Sequence, residues 1–273
     1  MIQKSLLTKI LRRPSFIGQY RLFNYLFVRQ KLNIGNQMAT PLNGNFKINC
    51  DTSTWIGAKI RFTGDYEPEL KSVFKAYIKK GDTVIDVGAN IGFHTLYFAE
   101  LTGNTGKVIA FEPVQYNFKS LLNNISLNKF ANIHPHNVAL SNKAEEISIH
   151  INEDSVNPGA FNLFETGKGT VVKCEVGDDV LNNEHVNFIK IDVEGYESFV
   201  IEGLKQTIKK HKPYLIFEFD RNYQQKTGLP PSHIFDILTP LGYSFFAVTN
   251  KGLVEFDLKK VKSCNVFAKP NLF

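Results

Sequence analysis

A chain of 273 residues with 43% hydrophobic content is long enough to bury one sizeable core and, at most, a small appendage. Its three cysteines, Cys50, Cys174 and Cys264, are odd in number and far apart, which excludes a disulfide framework and a CxxC metal knuckle and points to a reducing, cytoplasmic setting. The net charge of +6 is unevenly placed: residues 1–50 hold eight Lys or Arg and no acid, so the rest of the chain nets −2.

From the N-terminus, Lys4, Lys9, Arg12, Arg13, Arg21, Arg29 and Lys31 alternate with Leu6, Leu7, Ile10, Leu11, Phe16, Ile17, Leu22, Phe23, Leu26 and Phe27. The spacing predicts two short amphipathic helices broken near Pro14, forming a basic arm over residues 1–45. Its apolar stripe either packs against the rest of the chain or lies, with its cations, on an anionic membrane surface. Nucleic acid is a poor partner, because no RNA- or DNA-reading motif accompanies the charge. No apolar run reaches the roughly 20 residues that cross a bilayer, and no secretory signal opens the chain, so a soluble or at most peripheral protein is expected.

"FKINC" and "TWIGAKIRF", separated by the turn-like "DTS", have the alternation and the β-branched and aromatic content of a β-hairpin over residues 46–62. This hairpin opens the second unit, residues 46–273, whose core is expected over 80–270. There, strands and helices alternate: "TVIDVG", a helix from Gly92 to about Leu101, "KVIAFEP", a helix from about Gln115 to Asn128, then "NIHPHNVAL". Less regular strands follow at "EISIHIN" and "TVVKCEV", after which the pattern resumes with "NFIKIDVEG", a helix over 196–211 and "PYLIFEF". Such alternation makes βαβ units and a parallel sheet. A helix near 232–241 and a closing antiparallel pair, "YSFFAVTN" with "CNVFAKP", complete the expected order.

In an open α/β sheet, ligands bind beyond the carboxyl ends of the strands, where "DVGANIG" lies. A dehydrogenase fingerprint reads G-x-G-x-x-G, but Asp86 stands where its first glycine belongs. An aspartate there repels a pyrophosphate and attracts a cation. Glu112 ends the next strand, where a carboxylate accepts hydrogen bonds from both hydroxyls of a ribose. Together they describe an adenosine with a positively charged, phosphate-free tail, which fits S-adenosylmethionine. Alternatively, Gly88 and Gly92 allow tight strand-helix packing and Glu112 caps a turn.

The segments "GDTVIDVGANIGFHTLYFAE", "GKVIAFEPVQYNF", "LLNNISLN" and "FIKIDVEGYE" resemble the FkbM family of S-adenosylmethionine-dependent methyltransferases, over roughly residues 60–250. The resemblance implies a class I, Rossmann-like, seven-stranded and mostly parallel sheet, with methylation of hydroxyls on sugars, glycans or natural products. It also implies that Asp86, Gly88, Ala89, Asn90 and Gly92 line the methionine end of the donor. Glu112 and Pro113 fall at the ribose, and Ala139 in "NVALS" near the adenine.

A sugar hydroxyl is a poor nucleophile until deprotonated, so a carboxylate, a histidine or a divalent metal ion is expected near the methyl group. Asp192 and Glu194, at the end of the "FIKID" strand, are the first candidates for catalytic base or acceptor ligand. Other readings of the pair are that Asp192 caps the next helix and Glu194 only supports it. Lys190, inside the sheet, needs a carboxylate partner. Glu218 and Asp220 extend the acidic rim or stand as solvated strand-end acids. His94 is expected to pack or cap, and the histidines of "HPH" at 134–136 have no third ligand nearby, so no metal site is assigned. Residues 152–170 carry no readable chemistry. Two alternatives stay open, a dinucleotide-dependent oxidoreductase and a methyltransferase for an amine, nucleic acid or lipid.

Overall fold

Residues 2–12, 16–149 and 169–271 are described by a computed structural model; the segment 152–168 lies outside them. In chain order the strands are β1 (Asn36–Ala39), β2 (Ile48–Asp51), β3 (Thr83–Val87), β4 (Lys107–Phe111), β5 (Ile133–His136), β6 (Ala139–Ser141) and β7 (Glu145–Ile149). They continue with β8 (Thr170–Val176), β9 (Phe188–Ile191), β10 (Tyr214–Asp220), β11 (Tyr243–Thr249), β12 (Gly252–Glu255) and β13 (Ser263–Pro270). The main sheet runs β12-β11-β13-β10-β9-β3-β4-β5. From β10 to β5 all neighbours are parallel, and β13, β11 and β12 close the other edge antiparallel. The sheet thus has eight strands where seven are expected, the addition being the short edge strand β12. The irregular strands β7 and β8 form a separate small sheet with β6.

The parallel strands read as apolar runs because both faces of the sheet are covered. Val84, Val108, Phe188 and Ile216 face one core with Phe74 and Phe98, whereas Ile85, Ile109, Ile189 and Leu215 face another with Val200, Ile208 and Leu238. Burying each such side chain is worth about 1.5–3 kcal/mol. The helix expected over 196–211 is two, Glu197–Gly203 and Lys205–His211, broken at Leu204. A side chain at Gly203 would stand 1.9 Å from the Ser141 carbonyl oxygen, so this helix and β6 touch backbone to backbone.

The hairpin expected over 46–62 does not form. β2 pairs instead with β1, and residues Trp55–Thr63 are a helix, capped by Thr54 Oγ1 accepting from Gly57 N at 3.1 Å and ended by Gly64 at φ 78°. The strand-like alternation arises because this helix is gripped from two sides. Ala58 and Phe62 pack on the arm, while Ile56 and Ile60 pack on the main core. Each pair has i, i+4 spacing, and the two pairs interleaved mimic a period of two.

The arm is two helices, Ile2–Leu11 and Gln19–Val28. Leu11, Phe23 and Phe27 bury against Ala58 and Phe62, with Trp55 packed beside them. Trp55 Nε1 also donates to Asn24 Oδ1 at 3.0 Å. Among the described residues no helix is long and apolar enough to cross a membrane.

Candidate active site

The carboxyl ends of β3, β4 and β9 meet at one cleft, which encloses about 990 Å³ including its open mouth, enough for a nucleoside-sized ligand. The floor is the turn after β3. Gly88 N and Ala89 N both donate to Phe111 O, at 2.9 and 3.0 Å, and Asp192 N donates to Val87 O at 3.0 Å. These bonds draw the three strand ends so close that a Cβ on Gly88 would lie 1.9 Å from Asp192 O. With φ at +83°, the position also demands the left-handed region that glycine enters freely.

Glu112 follows β4 and is 4% exposed. Its Oε2 accepts from Asn90 N at 2.8 Å and its Oε1 from Val114 N at 2.9 Å, with Asn117 Nδ2 at 3.5 Å. Burial pushes this carboxyl up to about 7, against the pull of those donors. Glu112 therefore does two things: it ties the glycine turn to the helix Gln115–Ser126, and it stands on the cleft wall. Around it, Phe111, Val114, Val138 and Leu140 supply an apolar lining. A carboxyl beside an apolar slot and a backbone turn fits a ribose, an adenine and an amino-acid tail, so the donor set suits S-adenosylmethionine.

The opposite end of the cleft is acidic. Asp192 and Glu194 lie on its wall with Tyr66 and His94, and Glu67 and Glu218 are near enough to perturb the Glu194 and Tyr66 ionisations. Burial, then Asp192, pushes Glu194 up to about 7, and the Tyr223 hydroxyl pulls it back. Burial raises Glu67, moderated by Lys190 and Asn265. Glu67 also accepts Asn265 Nδ2 at 3.3 Å through Oε1 and meets His94 Nε2 at 2.9 Å through Oε2. Burial among aromatic rings pushes His94 down to about 3, so the imidazole is neutral. Glu67 and Glu194, with Asn90, adopt left-handed backbone at φ 47°, 52° and 51°. Such strain in non-glycine residues persists where the surroundings fix the position, and it gathers at functional sites.

Of the residues expected from sequence, Gly88, Ala89, Asn90, Glu112, Pro113, Ala139, Asp192 and Glu194 come together on the cleft wall. Asp86 and Gly92 do not. Asp86 is fully buried beneath the turn, where Thr95 Oγ1 donates to Oδ2 at 2.6 Å and Lys190 Nζ stands 3.8 Å from Oδ1. Its negative charge answers the lysine instead of reaching the ligand space. Gly92 caps helix Phe93–Thr102, and a Cβ there would meet Leu121 Cδ1 at 2.6 Å, a packing role between helices.

Lys190 has the carboxylate partners it needs, since Asp192 Oδ2 is 3.1 Å away. Burial alone would lower its pKa, but Asp192, Asp86 and Glu67 hold it above the ordinary lysine value. Asp220 caps the helix Arg221–Lys226, accepting from Asn222 N and Tyr223 N, so it is committed to structure. The histidines of "HPH" lie on the edge strand β5. Among the described residues, no group of three or more His, Cys, Asp or Glu side chains is arranged to hold a metal ion. Sequence reading missed Tyr66, Glu67 and Tyr223. Glu67 precedes Pro68 in "DYEPEL", where no motif distinguishes it, and only the fold brings it against the cleft-wall His94.

The model of the "Methyltransferase FkbM domain" matches residues 86–245. "Hexuronic acid methyltransferase AglP" of Haloferax volcanii is 30% identical over 134 residues, covering 48% of this chain and 53% of that protein. "Methyltransferase 1" of Beauveria bassiana is 27% identical over 146 residues, covering 44% of this chain and 57% of that protein. The chain thus spans about half the length of the curated relatives it matches. The crystal structure of Methyltransferase FkbM from Methylobacillus flagellatus aligns at 16% identity with a TM-score of 0.44, over 77% of this chain and 52% of that one. Because the family model spans more than half of its residues, the chain belongs to the FkbM family of S-adenosylmethionine-dependent methyltransferases.

Proposed function

We propose that this methyltransferase acts on oxygen, transferring a methyl group to a hydroxyl of a sugar, a glycan or a sugar-like natural product. The observation that carries the proposal is Glu194: a cleft-wall carboxyl with no lysine or arginine in ion-pair contact among the described residues, poised near neutrality by burial and by Asp192. A base whose pKa lies close to the working pH combines a useful fraction of its charged form with enough basicity to take a proton. When bound, S-adenosylmethionine supplies a methyl group already activated by its sulfonium.

The chain's own residues hold and align. Glu112 and the 88–91 turn hold the nucleoside and its tail, and Glu194 accepts the proton of the acceptor hydroxyl. Lys190 fixes Asp192, which keeps Glu194 in the range of a base. Tyr66, whose hydroxyl burial and the neighbouring carboxylates keep protonated, serves as a donor to the acceptor. Alignment of this kind supplies much of the rate in a bimolecular transfer.

Two further observations favour a polyhydroxylated acceptor. The relative from Haloferax volcanii bears a sugar acid in its name. A second cleft, sharing Ile56, Asn90 and Ile91 with the first, is otherwise lined by asparagine amides, the hydroxyls of Thr54, Ser120 and Tyr116, and the Asp51 carboxylate, with no Lys or Arg among its described residues. Free thiols at Cys50, Cys174 and Cys264 suit a reducing cytoplasm.

The test is turnover with S-adenosylmethionine on neutral, amino and uronic saccharides, followed by mass spectrometry and alkali treatment. An alkali-stable methyl ether is the expected product. An alkali-labile methyl ester, or a methylated amine, would overturn the assignment.

A further inference from the structure

Once the arm has packed its inner stripe on the helix Trp55–Thr63, a second apolar set remains on the outside. Ile17, between the two arm helices, is completely exposed; Val28 is 78%, Tyr20 57% and Tyr25 56% exposed, and Phe16 accompanies them. Arg21 and Arg29 share the exposed side with Tyr25 and Val28, following the i, i+4 and i, i+3 spacing of one helical stripe. The Arg29 guanidinium lies over the Tyr25 ring, 4.7 Å from its centroid, and Lys59 Nζ lies 4.9 Å from that of Tyr20. No acid occurs anywhere in residues 1–50.

We infer that this outer face is a docking surface for an anionic membrane. Aliphatic tips, tyrosines and cations on one side of a short helix match the layered chemistry of the interface, where acyl chains, headgroups and surface charge follow one another within a few ångströms. The complete absence of acids fixes the sign of the partner. A second copy of the same face would bring cation against cation. Nucleic acid would answer the charge but leave Ile17 and Val28 in water.

The arm is also joined to the active-site wall. Trp55 makes edge contacts with Tyr20 and Phe23 of the arm and with Tyr66 of the cleft, and the next residue, Ile56, lines that cleft. Docking the arm would therefore tether the catalytic body to the lipid surface through a helix that also forms part of the cleft wall. This inference is independent of the acceptor assigned above.

The experiment is co-sedimentation of the full chain with phosphatidylglycerol-containing vesicles and with pure phosphatidylcholine vesicles, at low and high salt. Binding to the anionic vesicles that weakens with salt is expected. Ile17→Asp should lower the partition coefficient roughly tenfold, and Arg21→Glu and Arg29→Glu should lower it at least about fivefold each. Because these side chains are exposed, donor affinity measured by calorimetry should stay unchanged and certify the fold. Failure to bind anionic vesicles, equal binding to both compositions, or pelleting unaltered in Ile17→Asp overturns the inference. So does sedimentation without vesicles that rises with protein concentration, which would mark self-association.

Discussion

Asp86 and Lys190 are register partners on the adjacent parallel strands β3 and β9, and neither side chain reaches water. The pair is flanked in its register row by Ile216 and Ala110, so each charge depends on the other and on Asp192 and Thr95. Removing one member of a buried pair strands its partner, at a cost of about 3–5 kcal/mol. Lys190→Met should lose that much stability in urea denaturation, and adding Asp86→Asn should recover a large part of it. A double variant no more stable than the single one would remove the ion pair from the account.

Glu194 should give the reaction its acid limb. A carboxyl raised to about 7 acts as a base only in its ionised form, so the rate should climb with unit slope as pH rises towards 7 and then level. Glu194→Gln keeps the size and removes the charge, and turnover should fall about 10²- to 10⁴-fold with the acid limb gone and donor affinity nearly intact. Near-normal turnover in this variant would shift attention to Glu67.

Donor affinity should follow the ionisation of Glu112. Since burial holds this carboxyl near 7, affinity should increase as pH rises through that value, because the charged form accepts the ribose hydroxyls more strongly. Glu112→Ala should weaken binding roughly ten- to hundredfold. It should also lower the melting temperature, as Asn90 N and Val114 N lose their acceptor. Calorimetry across pH reads both the slope and its disappearance.

Gly88 and Gly203 offer a matched comparison, since a Cβ at either position would stand 1.9 Å from a backbone carbonyl. Each Gly→Ala change should cost about 1–3 kcal/mol or more, through overpacking, with backbone strain added at Gly88. Only Gly88→Ala should also abolish donor binding, because only it forces β3 and β9 apart beneath the ligand. Retention of full donor affinity by a folded Gly88→Ala would separate this glycine from the cofactor.

The sheet, and the convergence of the glycine turn and Glu112 on one cleft, are legible because local chemistry dictates them: apolar runs, a glycine turn and a strand-end glutamate follow one another within short stretches of chain. The strand that carries Asp86 is legible in the sequence, but its layer is not, since only the register with β9 shows that Lys190 claims its charge. The acidic half was partly hidden. Asp192 and Glu194 stand in a readable segment, but Glu67 and Tyr66 arrive from the N-terminal region through long-range packing that no spacing announces. The helix Trp55–Thr63 reads as a strand although Thr54 and Gly64 mark its ends, because two interleaved buried faces override the usual 3.6-residue period.

That doubly gripped helix means that the arm is no detachable tail: the helix is a wall shared by two rooms. Cutting the chain after residue 35 would expose Ala58, Phe62 and Trp55 together and leave an apolar scar on the catalytic body. The two parts should melt in one transition, and a donor arm grafted from another protein would have to bring its own matching helix.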